Sequence, residues 1–130
     1  MKTQVEIKDE KGVILLVDDE EVVLDVCSKM LQRLDYQVLE AKDGQKAIEV
    51  FKKNKNIVNL VILDMRMPGM DGSTVYDHLK KIKSDVKVLL ASGYFENRQI
   101  RNILNNGHDD LIQKPFNIKQ LSEKLEKILL

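Results

Sequence analysis

The sequence predicts an α/β domain built on a five-stranded parallel sheet with helices on both faces, the doubly wound (βα)5 pattern. Three observations carry this. Five short runs are apolar at successive rather than alternate positions, as in strands buried on both faces. The segments between them repeat apolar residues at helical spacing. The two kinds of segment alternate along the chain, and short right-handed crossovers resolve that alternation as a parallel sheet.

Residues 1–11 are polar and without period, and they read as a loose leader or a short strand extension. The strands follow as VILLV (13–17), YQVLEA (36–41), VNLVIL (58–63), VKVLLAS (86–92) and DLIQ (110–113). The first helix is expected to turn a stripe of Val22, Val23, Val26, Cys27, Met30, Leu31 and Leu34 to the core. Ala47, Ile48 and Phe51 mark the second helix, and Val75, Leu79 and Ile82 the third. Ile100, Ile103 and Leu104 mark the fourth, with Gly107 as its expected C-terminal cap, and Ile118, Leu121, Leu125 and Ile128 the fifth.

The 130 residues fit one domain, 12–130, with no internal repeat and no residue left for a second. Twenty-one basic residues balance twenty-one acidic ones, which provides no overall charge for holding nucleic acid. No apolar run approaches the roughly 20 residues a bilayer span needs, and the start MKTQVEIKDEKG lacks the apolar stretch of a signal peptide. A cytoplasmic protein is expected, with neither nucleic acid nor a membrane as a direct partner. The single cysteine, Cys27, cannot form an internal disulfide.

In an open parallel sheet, ligands bind beyond the carboxyl ends of the strands. That rule sorts the polar residues. Asp18 and Asp19 follow the first strand, Asp64 ends the third, Ser92 ends the fourth, and Lys114 follows the fifth. Taken singly each has an ordinary explanation: a strand-terminal aspartate caps helices or forms turns, a serine before Gly93 is a turn residue, and a lone lysine is a solvated charge. Their co-location at equivalent strand ends is what points to a site.

Three carboxylates in one pocket repel: two unit charges about 4 Å apart cost about 4 kcal/mol at an effective dielectric near 20. Lys114 can offset part of this, and a divalent metal can offset more. Oxygen donors with no His or Cys nearby favour Mg²⁺. A carboxylate held beside such a cation, a lysine and a hydroxyl can attack phosphorus and form an aspartyl-phosphate. Asp64, at the end of the central strand, is the best-placed nucleophile.

At these residues the sequence resembles the receiver domain of two-component response regulators. LLVDDEE, VILDMRMPGMDG, LLASGY and IQKPF occur in that family's order and rough spacing, over residues 12–130. The resemblance implies the flavodoxin-like strand order 2-1-3-4-5, with Asp64 as phosphoacceptor. Asp19, Asp64 and the Arg66 carbonyl would hold Mg²⁺, and Asp18 would act through a metal-bound water. Ser92 and Lys114 would contact the phosphoryl group, and the Lys114 to Pro115 bond would be cis. A sensor histidine kinase or phosphotransfer protein would donate from phosphohistidine. Ordering of Ser92 would signal through the face of helix four, strand five and helix five, in a monomer or a weak phosphorylation-dependent dimer. Enzymatic turnover would be limited to its own phosphorylation and dephosphorylation.

Many receivers carry Tyr or Phe three residues before the lysine, but this chain has Leu111. Switching without an aromatic rotamer, by weaker or differently routed coupling, is expected. Arg66 and Tyr94, each two residues beyond a pocket residue, are expected to shield the acyl phosphate from water. Cys27 reads as packing, His78 and His108 as solvent-facing, and Met65, Met67 and Met70 as packing or pocket lining. SGYFENRQI and GHDDLIQKPF are similar to receivers attached to hybrid sensor kinases, so a stand-alone receiver, a phosphate shuttle and a piece of a longer protein all remain open.

Three rival readings fit the sequence less well. A flavin binder would need Ser, Thr and Gly donors after the first strand, where this chain has Asp18 to Glu21. A phosphatase of the haloacid dehalogenase type would want an acid where Arg66 stands. A degenerate receiver that only binds other proteins would have lost pocket residues, yet all five are present.

Overall fold

The computed structural model describes residues 11–93, 98–104 and 109–129. Strands and helices alternate: β1 (Gly12–Val17), α1 (Glu21–Arg33), β2 (Tyr36–Ala41), α2 (Gly44–Asn54), β3 (Val58–Asp64), α3 (Gly72–Ile82), β4 (Val88–Ser92), α4 (Arg98–Leu104), β5 (Asp110–Gln113) and α5 (Ile118–Leu129). All pairings are parallel, and the strand order is β2-β1-β3-β4-β5. The fold class and strand order are those expected. The leader, apart from Lys11, and the cap at Gly107 lie outside the described residues.

Successive strand residues feed opposite layers, because side chains alternate across a strand. Leu15, Val17, Val61, Leu63 and Leu90 meet Ala47 and Phe51 of α2, Val75 and Leu79 of α3, and Ile100 of α4. Ile14, Leu16, Leu60, Ile62 and Leu89 meet Leu24, Cys27 and Leu31 of α1 and Leu121 and Leu125 of α5. This is why β1, β3 and β4 are mostly apolar, whereas the edge strands β2 and β5 carry Gln37 and Glu40, and Asp110 and Gln113. β4 begins two residues later than expected, since the N–H of Val86 closes a turn on the Lys83 carbonyl.

The expected stripe of α1 needs correction. The residues it buries are Leu24, Cys27, Ser28 and Leu31, whereas Val22 and Val26 are 75% and 48% exposed. The spacing 24, 27, 28, 31 is the helical rule itself, but Ser28 interrupts its apolar signal and the valines imitate a second stripe one residue out of phase.

Two other aspartates cap helices. Asp43 accepts the N–H of Lys46 at 2.7 Å and Asp71 that of Thr74 at 3.0 Å, starting α2 and α3. No helix among the described residues is long and apolar enough to cross a membrane.

Candidate functional site

The sheet order brings the ends of β1, β3 and β4 side by side. Val17 pairs with Leu63, and Asp64 with Ala91. Asp18 therefore emerges next to Asp64, with Ser92 one strand over. The Ser92 carbonyl accepts the Lys114 N–H at 2.9 Å, which ties the loop after β5 to the tip of β4.

Oxygens of Asp18, Asp19 and Asp64 all lie within 4.8 Å of one another. Asp18, Asp64 and Ser92 are buried, and Asp19 is the more open member. Each buried acid divides its oxygens in the same way. Asp18 takes the N–H of Glu20 on Oδ1 at 2.9 Å and the Lys114 ammonium on Oδ2 at 3.0 Å. Asp64 takes the N–H of Arg66 on Oδ1 at 3.1 Å, and its Oδ2 lies 3.6 Å from Lys114 Nζ. The turn-forming role of a strand-end aspartate is thus real, but it uses only one oxygen of each.

The electrostatics follow from that crowding. Burial pushes the Asp64 carboxyl up from 3.8 to about 6, against the opposing pull of the Arg66 N–H and Lys114, while Asp18 and Asp19 push it further. Burial alone would lower Lys114, but its bond to Asp18 and the charges of Asp64, Asp18 and Glu20 hold it above the usual lysine value. The Lys114 ammonium reaches Asp18 and Asp64, and Asp19 adds a third carboxylate to the cluster. An all-oxygen donor set with excess negative charge fits a hard divalent cation.

The loop after Asp64 is shaped by Gly72. A Cβ there would stand 2.6 Å from the Met65 Cα and 2.9 Å from the Asp64 carbonyl oxygen, so α3 can start this close only with glycine. Met65 and Met67 are buried, and the Arg66 side chain is exposed. Leu111 is buried on β5, and the Lys114–Pro115 peptide bond is cis. Tyr94 and His108 lie outside the described residues. His78 is exposed, with Nδ1 2.9 Å from the Thr74 carbonyl. Cys27 is buried, which raises its thiol to about 12 and agrees with packing.

One feature beside the pocket was missed. The exposed Val22 and Val26 join Val23 and Met30 as one wall of a groove of about 410 Å³, with Pro115 and Phe116 opposite and Lys114 at its end. Only the phase of α1 distinguishes these valines from core residues. The signal available in sequence was Leu24, whose inclusion shifts the buried stripe.

A fold and pocket of this kind define a two-component signalling domain, and the comparisons agree. Residues 14–126 match the response regulator receiver domain, and the chain belongs to that family. It is 35% identical over 118 residues to the sensor kinase CckA of Brucella abortus, covering 91% of this chain and 12% of that protein. It is 34% identical over 112 residues to the transcriptional regulatory protein YrkP of Bacillus subtilis, covering 86% of this chain and 47% of the relative. The chain thus spans half or less of these relatives. Among solved structures, the receiver domain of the hybrid histidine kinase CckA superposes with a TM-score of 0.77 at 32% identity, covering 92% of this chain and all of that one. The response regulator TrrA of Thermotoga maritima, in complex with Mg²⁺ and BeF, superposes at 0.78 with 32% identity, covering 90% and 98%.

Proposed function

We propose that this receiver accepts a phosphoryl group on Asp64 from the phosphohistidine of a sensor kinase or phosphotransfer protein. The observation that carries the reading is the gathering of Asp18, Asp19 and Asp64 oxygens within 4.8 Å, with Lys114 bridging the two buried acids. In the transfer, an Asp64 oxygen bonds to phosphorus as the bond from phosphorus to the histidine nitrogen breaks. The departing imidazole nitrogen takes up a proton. Asp64 must act as the carboxylate, which its pKa of about 6 permits at neutral pH.

Asp18, Asp19, Asp64 and the Arg66 carbonyl are the residues that would hold Mg²⁺, and TrrA was solved with that ion. When bound, the ion supplies charge neutralisation for the oxygens of the transferring group. Lys114 supplies a second cation, and the Ser92 hydroxyl donates a hydrogen bond to a phosphoryl oxygen. Arg66 and Tyr94 limit water at the acyl phosphate. The chain is its own catalyst in this step, taken over residues 12–130, and works in the cytoplasm as a monomer or weak dimer.

The groove between α1 and the β5–α5 loop ends at Lys114, so an apolar helix face seated there would bring a donor histidine to the pocket. Output then runs through α4, β5 and α5, with Ser92 as the moving group and Leu111 replacing an aromatic switch.

Incubation with Mg²⁺ and acetyl phosphate, followed by intact mass measurement, should show one added phosphoryl that is absent in Asp64→Asn. A wild-type mass that stays unchanged under these conditions refutes the reading. Val22→Ser with Val26→Ser should slow transfer from a phosphorylated protein donor by about tenfold and leave acetyl phosphate labelling unchanged.

A further inference from the structure

Where β3 and β4 begin, the sheet edge is rich in lysine, although Asp35 precedes β2 and Asp109 and Asp110 stand at the start of β5. α2 ends with Lys52 and Lys53 and is followed by Lys55; α3 ends with Lys80 and Lys81 and is followed by Lys83; Lys87 leads into β4. The two helices pack against each other, and the Lys83 ammonium donates to the Lys55 carbonyl at 3.3 Å, so both loops form one surface. Lys87 extends it toward α5 by donating to the Ile128 carbonyl at 3.1 Å.

Lys80 is committed inward, to Asp109 at 3.4 Å and the Val86 carbonyl at 2.6 Å. Among the described residues, no carboxylate lies in ion-pair range of Lys52, Lys53, Lys55, Lys81, Lys83 or Lys87. Asp85 is the one acid in the two loops. Ile57, 51% exposed, stands among these lysines. The helix dipole accounts for cations in the last turns of α2 and α3. It accounts neither for Lys87, which lies outside any helix, nor for the exposed isoleucine.

We propose that this pole docks on an anionic lipid surface. The patch is lysine throughout, and lysine is a hydrated point charge without the planar fork that reads phosphates and bases bidentately. The two loops also hold no aromatic side chain on which a base could stack. Undirected positive charge around one apolar side chain complements a diffuse negative plane into whose boundary Ile57 can dip.

The zero net charge does not oppose this. The seven residues of β3 separate the poles by roughly 20 Å at about 3.3 Å per residue, beyond the Debye length of about 8 Å at physiological salt. The surface therefore attracts the near pole with little repulsion from the far one. Docked this way, the carboxyl ends of the strands face the aqueous side, and the Asp64 pocket stays open to a partner.

The test is cosedimentation of the protein with phosphatidylcholine vesicles containing about one-third phosphatidylserine. Binding is expected at low salt, lost at high salt, and absent on phosphatidylcholine alone. Lys53→Gln, Lys55→Gln and Lys81→Gln together should weaken it by about a hundredfold, with the thermal midpoint and acetyl phosphate labelling unchanged. No binding at low salt, equal binding to neutral vesicles, or insensitivity to the triple substitution overturns the proposal. Tighter binding to duplex DNA or to polyglutamate than to the vesicles overturns it as well.

Discussion

Replacing Asp64 with asparagine should stabilise the metal-free protein at neutral pH while ending phosphorylation. The folded carboxyl sits near 6 rather than 3.8, chiefly because it is buried. A shift of that size is on the order of 3 kcal/mol between the two protonation states. The sign follows from proton counting. Between pH 3.8 and about 6 the folded state holds the proton more tightly than the unfolded chain, so stability falls as pH rises through this window. Above it the full cost is present. That shift is already net of the attraction to Lys114 at 3.6 Å, and asparagine keeps the shape without the charge, so a net gain of about 1–3 kcal/mol is expected. Urea unfolding with a chelator at about pH 4 and about pH 8 reads this directly: the curves should nearly coincide at the acid end and separate at the alkaline end. Added Mg²⁺ should stabilise the wild type and leave the variant unmoved. A variant less stable than wild type at pH 8, or a difference that ignores pH, would refute the reasoning.

Tyr76→Phe should cost about 1–3 kcal/mol in the same assay, because the Tyr76 hydroxyl donates to Asp109 at 2.5 Å and its loss strips a partner from a buried carboxylate. Gly72→Ala should cost about 1–3 kcal/mol and lower Mg²⁺ affinity measured by titration, since the added Cβ drives α3 away from Met65 and Asp64. Cys27 in the folded protein should be alkylated on the order of a thousandfold more slowly at pH 8 than an exposed cysteine, given its thiol near 12; comparable rates would show that α1 opens readily.

The parallel sheet was legible because strands buried on both faces cannot avoid apolar runs, and β2, β3 and β5 were placed to within a residue. The site was legible for a related reason: its side chains sit at strand ends, where a break in an apolar run is visible. The face of α1 was not, because Val22 and Val26 have core chemistry at surface positions while Ser28 has surface chemistry at a core position. Nor was the latch of Tyr76, Lys80 and Asp109, which joins α3 to the entry of β5 across 33 positions of sequence. The close approach at Gly72 depends on the distance between two elements, which no local pattern encodes.

The pocket's unfavourable charge and its chemistry are one property. A carboxylate comfortable in its surroundings would bond to turn amides with both oxygens and sit near its ordinary pKa. Asp64 instead keeps one oxygen for Arg66 and turns the other toward a lysine shared with Asp18. The double-faced core, with Phe51, Leu63 and Leu79 fully enclosed, offsets that cost and holds the acids in place. Lys114 then links the pocket to its surroundings, because its ammonium meets both buried acids, its N–H is tied to the Ser92 carbonyl, and the chain leaves it through Pro115 and Phe116 into the groove wall. A negative group added to Asp64 would compete with Asp18 for that ammonium, so the change of charge would bear at once on the tip of β4 and on the groove wall.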